Sequence, residues 1–105
     1  MNKKEVVNAD TMRAAAEEAC ELLKAMSNQH RLLILCQLTD GEKSVGQLAE
    51  FLGIRDSTVS QHLSLLRRDG IVAGRRDGQT IWYRIENDVV LRVVNVLYHS
   101  LCTVG

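Results

Sequence analysis

Two groups of side chains in this 105-residue chain could do chemistry. The first is Ser57, Thr58, Ser60, Gln61, His62 and Ser64, which interleave with Val59, Leu63, Leu65 and Leu66. The apolar members recur at three- and four-residue spacing, so one helix would bury them and turn the polar ones outward. A solvated helix face is normally rich in Lys and Glu, which favour helix and solubility. Hydroxyls and an amide, without bulk or strong charge, instead suit close approach to base edges and phosphates. Taken alone, the segment could equally be a polar surface helix. The second group is three thiols, Cys20, Cys36 and Cys102, whose chemistry would be oxidation and thiol–disulfide exchange. No CxxC or similar ligand pair occurs, and in a cytosolic chain three cysteines are not a structural disulfide set. Each can also be read as a small buried hydrophobe.

The elements around the polar helix give it a role. Ser44-Val45-Gly46-Gln47 has a capping-box pattern, and Val45, Leu48, Ala49 and Leu52 form a short apolar stripe. Gly53 then sits in a tight turn before the next helix, which Asp56 or Ser57 can cap and Gly70 can end. This is helix-turn-helix spacing over residues 45–69. Ile71-Val72-Ala73 and Thr80 to Ile85 are rich in β-formers and flank Arg75-Arg76-Asp77-Gly78-Gln79, whose Asp-Gly marks a hairpin turn. A two-stranded hairpin over 71–85 with an arginine-rich tip, following a helix-turn-helix, is a winged helix. Ser57, Thr58, Ser60, Gln61 and His62 would then lie near base edges, and Arg67, Arg75 and Arg76 near phosphates, with Gln79 at the wing tip.

The rest of the chain frames that unit. Net charge is zero, but residues 55–84 hold six arginines against three aspartates, a local excess of +3 on the expected DNA-facing surface. The balance argues against a non-specific packaging protein. Residues 1–10 are polar, lack an apolar core of the secretory kind, and read as a flexible end. Helices are expected over Thr11 to Met26, over Asn28 to Leu38 with Ser27 as cap, and from Asn87 or Asp88 to about Cys102. No stretch reaches membrane-span length, so the chain is expected to be cytoplasmic, a single domain over 1–105 with no cofactor. The last helix is apolar around most of its circumference and implies a partner subunit. The expected fold is mainly α, with five helices and a two-stranded hairpin, a homodimer through the first and last helices. Two recognition helices related by a two-fold axis read successive major grooves when about 34 Å apart.

The run from Leu22 to Cys102 resembles the ArsR/SmtB family of bacterial winged-helix repressors. The likeness rests on Leu22-Leu23-Lys24-Ala25-Met26-Ser27, Arg31-Leu32-Leu33-Ile34-Leu35, Ser57 to Leu63, Leu66 to Val72, and Arg75 to Tyr83. It covers about four-fifths of the chain. The resemblance implies a homodimeric, inducer-released repressor of an AT-rich imperfect inverted repeat in double-stranded DNA. The placement of Cys36 and Cys102 also resembles the thiol-based subgroup of BigR-, SqrR- and HlyU-like regulators. There the matching cysteines form a disulfide or, with reactive sulfur species, a polysulfide bridge, and DNA is released; Cys20 does not belong to the pair. The same subgroup includes regulators that counter a second repressor, and an effector-independent regulator stays open beside the redox-sensing one.

Metal-sensing members place an Asp, a His two residues on, then a His and an acid along the last helix. Here Asp88 is followed by Val90, and the later positions are Leu101 and Val104; the third helix lacks a Cys-x-Cys. His30, His62 and His99 are scattered over three helices, so no metal site is expected. An enzyme is disfavoured because there is no CxxC, glycine-rich phosphate loop or Ser/His/Asp set. A winged helix that binds protein rather than DNA would have no need of Ser57, Gln61, Arg75 and Arg76.

Overall fold

A computed structural model describes residues 8–102. Helix α1 (Ala9–Met26) leads into α2 (Gln29–Gln37) and a single 3-10 turn, Leu38–Asp40. A short strand β1 (Lys43–Ser44) precedes α3 (Val45–Leu52) and α4 (Asp56–Arg68). Strands β2 (Val72–Asp77) and β3 (Thr80–Ile85) form the hairpin, and α5 (Asp88–Leu101) closes the chain. The sheet therefore has three strands in the order β1-β3-β2, one more than the sequence suggests. Two residues carry too little pattern to read as a strand. β1 exists because Lys43 and Ser44 pair with Tyr83 and Trp82, and because Lys43 Nζ donates to Gln37 O and Asp40 Oδ1.

The helix ends follow from local chemistry. Asn8 caps α1 by accepting from the Thr11 amide, so the helix begins at Ala9, inside the stretch read as a flexible end; residues 1–7 lie outside the described range. Asn28, rather than Ser27, caps α2 through the Arg31 amide. The expected capping box is present at α3, with the Ser44 and Gln47 side chains each accepting from the other's amide. At α4 the cap position falls on Arg55, with no side-chain bond, not on Asp56 or Ser57. Gly70 has φ 73°, and the Gly70 and Ile71 amides donate to Arg67 O and Leu66 O. That is a Schellman ending, which a left-handed glycine permits at no steric cost.

One core joins the helices and β2, built from Met26, Ile34, Leu35, Leu38, Leu48, Val59, Leu63, Leu66, Ile71, Val72, Val90 and Val94, with Tyr83 and Ile85 of β3 packed against it. Ile71 is its junction. Its side chain is fully buried, its amide closes α4, and its carbonyl accepts from Glu86 and Asn87 where the wing passes into α5. Helix α4, the hairpin and α5 thus all meet at this residue. Helix α1 contributes only Ala25 and Met26 to the buried set. Met12, Leu23, Val89, Val96, Leu97, Tyr98 and Leu101 are all exposed, on the two terminal helices. Among the described residues no helix is long and apolar enough to cross a membrane.

Candidate nucleic-acid interface and thiols

Helix α4 follows α3 after the three-residue turn Gly53-Ile54-Arg55, the helix-turn-helix arrangement. Val59, Leu63 and Leu66 are completely buried, which leaves Ser57, Ser60, Gln61 and Ser64 exposed and Thr58 half-buried. With no side-chain cap at Arg55, the Asp56 and Ser57 amides keep their donor capacity for an outside acceptor, while the Thr58 amide donates to Arg55 O. Ser60 also lines an open groove of about 440 Å³ with Ser44, Val45, Gly46, Gln79, Thr80, Ile81 and Tyr83. The groove brings the start of α3, the middle of α4 and the wing turn to one face.

The hairpin differs from the expected one in a way that matters for its arginines. The strands run on to the pairs Arg75↔Trp82, Arg76↔Ile81 and Asp77↔Thr80, so the turn is only Gly78-Gln79. Arg75 and Arg76 are strand residues, not turn residues, and as neighbours in a strand they point to opposite faces. Arg75 Nε donates to Glu42 Oε1 and Oε2 at 3.0 and 3.1 Å, and its Nη2 lies 2.9 Å from Oε1. Glu42 holds the Arg75 guanidinium above its ordinary pKa, first by hydrogen bonding and then by charge. This bidentate pair ties the wing to the turn before β1. Arg76 and Arg67 are exposed and have no carboxylate partner among the described residues. Gln79 is exposed at the turn itself.

His62 is placed differently from its neighbours. It is half-buried, its Nδ1 lies 3.2 Å from Arg31 Nε, and its ring meets the His30 ring edge-on at 5.7 Å. Burial lowers its pKa, with the Arg31 and His30 charges acting in the same direction. Arg31 and Glu42 are the partners that the sequence reading did not supply. Arg31 did leave one trace: α2 has no acid in its first turn but carries His30 and Arg31 there. Cations at a helix N-terminus oppose the macrodipole, so such a placement calls for a partner elsewhere.

The three cysteines are free. Cys20 and Cys102 are exposed in the single chain, so the reading of each as a buried hydrophobe does not describe them. Cys36, on α2, is half-buried against the core and lines a groove of about 460 Å³ with Ser27, Asn28, Gln29, Leu32 and Leu33. Burial pushes the Cys36 thiol up from its ordinary pKa, and the negative charge of an ionised Cys102 pushes it the same way. Cys102 is the C-cap of α5, which packs against α2. Among the described residues no three His, Cys, Asp or Glu side chains converge in a manner that could hold a metal ion.

Known proteins share this arrangement. Residues 28–73 match the model of the family described as bacterial regulatory protein, arsR family. The transcriptional activator HlyU of Vibrio cholerae is 42% identical over 96 residues, covering 91% of this chain and 89% of HlyU. The chain belongs to the ArsR family of bacterial regulatory proteins. The structure of reduced HlyU superposes with a TM-score of 0.85 over 88% of this chain and 97% of that one. A biofilm growth-associated repressor of Xylella fastidiosa is 42% identical over 94 residues, 90% of this chain and 82% of the repressor. The winged helix-turn-helix domain of Mb0332 from Mycobacterium bovis, described as homodimeric and DNA-binding, is 28% identical with a TM-score of 0.73 over 96% of this chain and 98% of that one. As an ArsR-family member the chain is a DNA-binding regulator of transcription, not an enzyme.

Proposed function

We propose that the chain acts as a homodimer on an inverted-repeat operator, as a HlyU-type regulator that occupies DNA in competition with a second repressor. The observation that carries the DNA reading is the face of α4: three side chains at zero exposure below, and Ser57, Ser60, Gln61 and Ser64 above. The likeness to HlyU across 89% of that protein's length favours the competing role over simple repression. The exposed apolar side chains of α1 and α5, together with the homodimeric Mb0332 domain, support pairing through those helices. Phosphate contacts fall to Arg76 and Arg67, and base contacts to Ser57, Thr58, Ser60, Gln61 and His62, with Gln79 at the groove edge. A duplex selected by the protein from random-sequence DNA tests this directly. The selected sequence should be an AT-rich inverted repeat, and Gln61→Ala should relax its preference by about 1–3 kcal/mol per half-site contact. Equal affinity for selected and random duplex would end the DNA-reading proposal.

A second reading is favoured by the thiols. Cys36 lies on α2 and Cys102 at the end of α5, which packs against α2, and the charge of Cys102 adds to burial in raising the Cys36 pKa; both support this reading. On this reading the exposed Cys102 thiolate attacks a peroxide, becoming a sulfenic acid as hydroxide leaves. Cys36 then loses its proton and attacks the Cys102 sulfur, hydroxide leaves again, and a disulfide forms. With a hydropersulfide as oxidant, Cys102 gains one sulfur and a thiol is released; attack by Cys36 then expels hydrosulfide. A link between α2 and α5 would tilt α4 against the two-fold axis. A coupling of about 1–3 kcal/mol would change operator affinity 5- to 150-fold. Intact-mass spectrometry beside gel shifts decides it. Loss of both thiols with loss of binding, abolished by Cys36→Ser or Cys102→Ser but not by Cys20→Ser, is expected. Unchanged release in the Cys36→Ser, Cys102→Ser double variant would refute it.

A further inference from the structure

We propose that Arg31 is a positioning residue for DNA binding: from α2 it fixes the His62 ring on the recognition helix so that Nε2–H is the donor offered to DNA. This rests on the DNA-reading role of α4 proposed above.

An arginine guanidinium has only donors, so a ring nitrogen 3.2 Å from Arg31 Nε must be the acceptor. In a neutral imidazole that assigns the lone pair to Nδ1 and the proton to Nε2. Among the described residues no side-chain nitrogen is both buried and unpartnered, and none of them accepts from His62 Nε2, so that proton reaches solvent. The ring edge carrying it belongs to the residue next to Gln61, which is exposed on the face argued to meet DNA. The charged or titratable groups facing the ring, Arg31 and His30, both come from α2, and neither is a carboxylate that would favour imidazolium.

Arg31 is itself held from two sides. Its amide donates to the Asn28 cap, and its Nη1 donates at 3.1 Å to Ala25 O, in the last turn of α1. The Ala25 carbonyl is one of the four that a helix end leaves without an intrahelical donor, and a cation there is favourable. One guanidinium therefore bridges the end of α1 to the middle of α4, with α2 and α3 between them in sequence. A lysine keeps the charge but is a single point donor on a flexible stem and cannot hold both contacts in a fixed fork.

The test combines a tautomer measurement with a double-mutant cycle, using the full chain. Nitrogen-15 chemical shifts of the His62 ring without DNA should show a protonated Nε2 and bare Nδ1 in the wild type, and a mixture of tautomers in Arg31→Lys. On the duplex selected by the wild type, His62→Ala should weaken binding between about 5- and 150-fold, the span of one good contact. Arg31→Lys should lose a comparable factor alone but almost nothing further in the His62→Ala background. His62→Gln, which retains an outward donor, should recover part of the loss. A wild-type ring protonated at Nδ1, or additive effects of Arg31→Lys and His62→Ala, overturns the proposal. A wild type that shows no sequence preference would instead defeat the underlying DNA reading while leaving the tautomer result to stand.

Discussion

Helices α4 and α5 are nearly equal in length, 13 and 14 residues, and both bury a stripe of branched side chains. Everything apolar on α4 finds cover within the chain: Val59, Leu63 and Leu66 are fully buried and Leu65 is half-buried. Helix α5 buries Val90 and Val94 equally well, yet Val96 is 63% and Leu101 77% exposed, with Leu97 and Tyr98 also outside. The contrast does not extend to α3, which leaves Phe51 58% exposed much as α1 leaves Met12 and Leu23. Helix α4 is a finished piece of monomeric core with a polar outer face, whereas α1 and α5 carry more apolar surface than a single chain can use. Burial is worth about 25 cal/mol per Å² of apolar surface, so leaving that surface wet has a standing cost that a second copy would remove.

A pair of substitutions sharpens this contrast and should give the largest effects. Leu63→Ala removes a side chain at zero exposure, and should destabilise the fold by about 2–5 kcal/mol at every protein concentration. Val96→Glu changes a side chain that the single chain leaves in water, so the monomer's fold should be nearly indifferent to it. In a dimer it would bury a charge, and the dissociation constant should rise at least ten-fold, read by sedimentation, with the dimer's concentration-dependent share of stability reduced. If Val96→Glu sediments as the wild type does, the terminal helices are not the interface.

The DNA-reading half was also the more legible one in sequence. The α4 stripe, the capping box at Ser44 and Gln47 and the left-handed Gly70 are local features with fixed spacing, and each stands where expected, while the hairpin turn falls one residue later than the Asp-Gly signal, at Gly78-Gln79. What escaped was non-local. Strand β1 is defined by its partners Tyr83 and Trp82, forty residues away by number, and not by its own two residues. Arg75 and Arg76 look alike in sequence, but only the fold brings Glu42 against the first and not the second. His62 reads as a DNA-facing neighbour of Gln61 until α2 supplies Arg31. The ends of the helices shifted for a simpler reason: Asn28 competes well as a cap with Ser27, Asn8 caps α1 ahead of the expected start at Thr11, and local pattern does not rank such candidates.

The two wing arginines give a finer comparison within the DNA-reading half. Replacing Arg76 by Ala should remove one phosphate contact, weakening all duplexes alike and reducing the log–log salt slope by about 0.9. Arg75→Ala should leave that slope nearly unchanged, because its guanidinium is already engaged by Glu42. Its effect should appear as a loosened wing, reproduced by Glu42→Gln. Fluorescence anisotropy at several salt concentrations measures both slopes; equal slopes for the two variants would erase the distinction drawn from the strand register.

The smallest expected effect lies where the finished core meets α1, at His62. Burial, then the Arg31 and His30 charges, hold its folded pKa below the ordinary histidine value of about 6.5. The sign follows from proton counting: between the two pKa values the unfolded chain binds more protons than the folded one, so stability rises with pH in that interval. The contribution is fully present above the unfolded value and is lost as pH falls through the folded one. Protonation would also turn Nδ1 into a donor facing Arg31 Nε, ending the only hydrogen bond between α2 and α4 side chains among the described residues. Urea unfolding from pH 7.5 to 5 should therefore show a decline in the wild type that is shallower in His62→Gln. If His62→Gln declines as steeply as the wild type, the acid sensitivity arises elsewhere, and Arg31 does not hold a neutral ring.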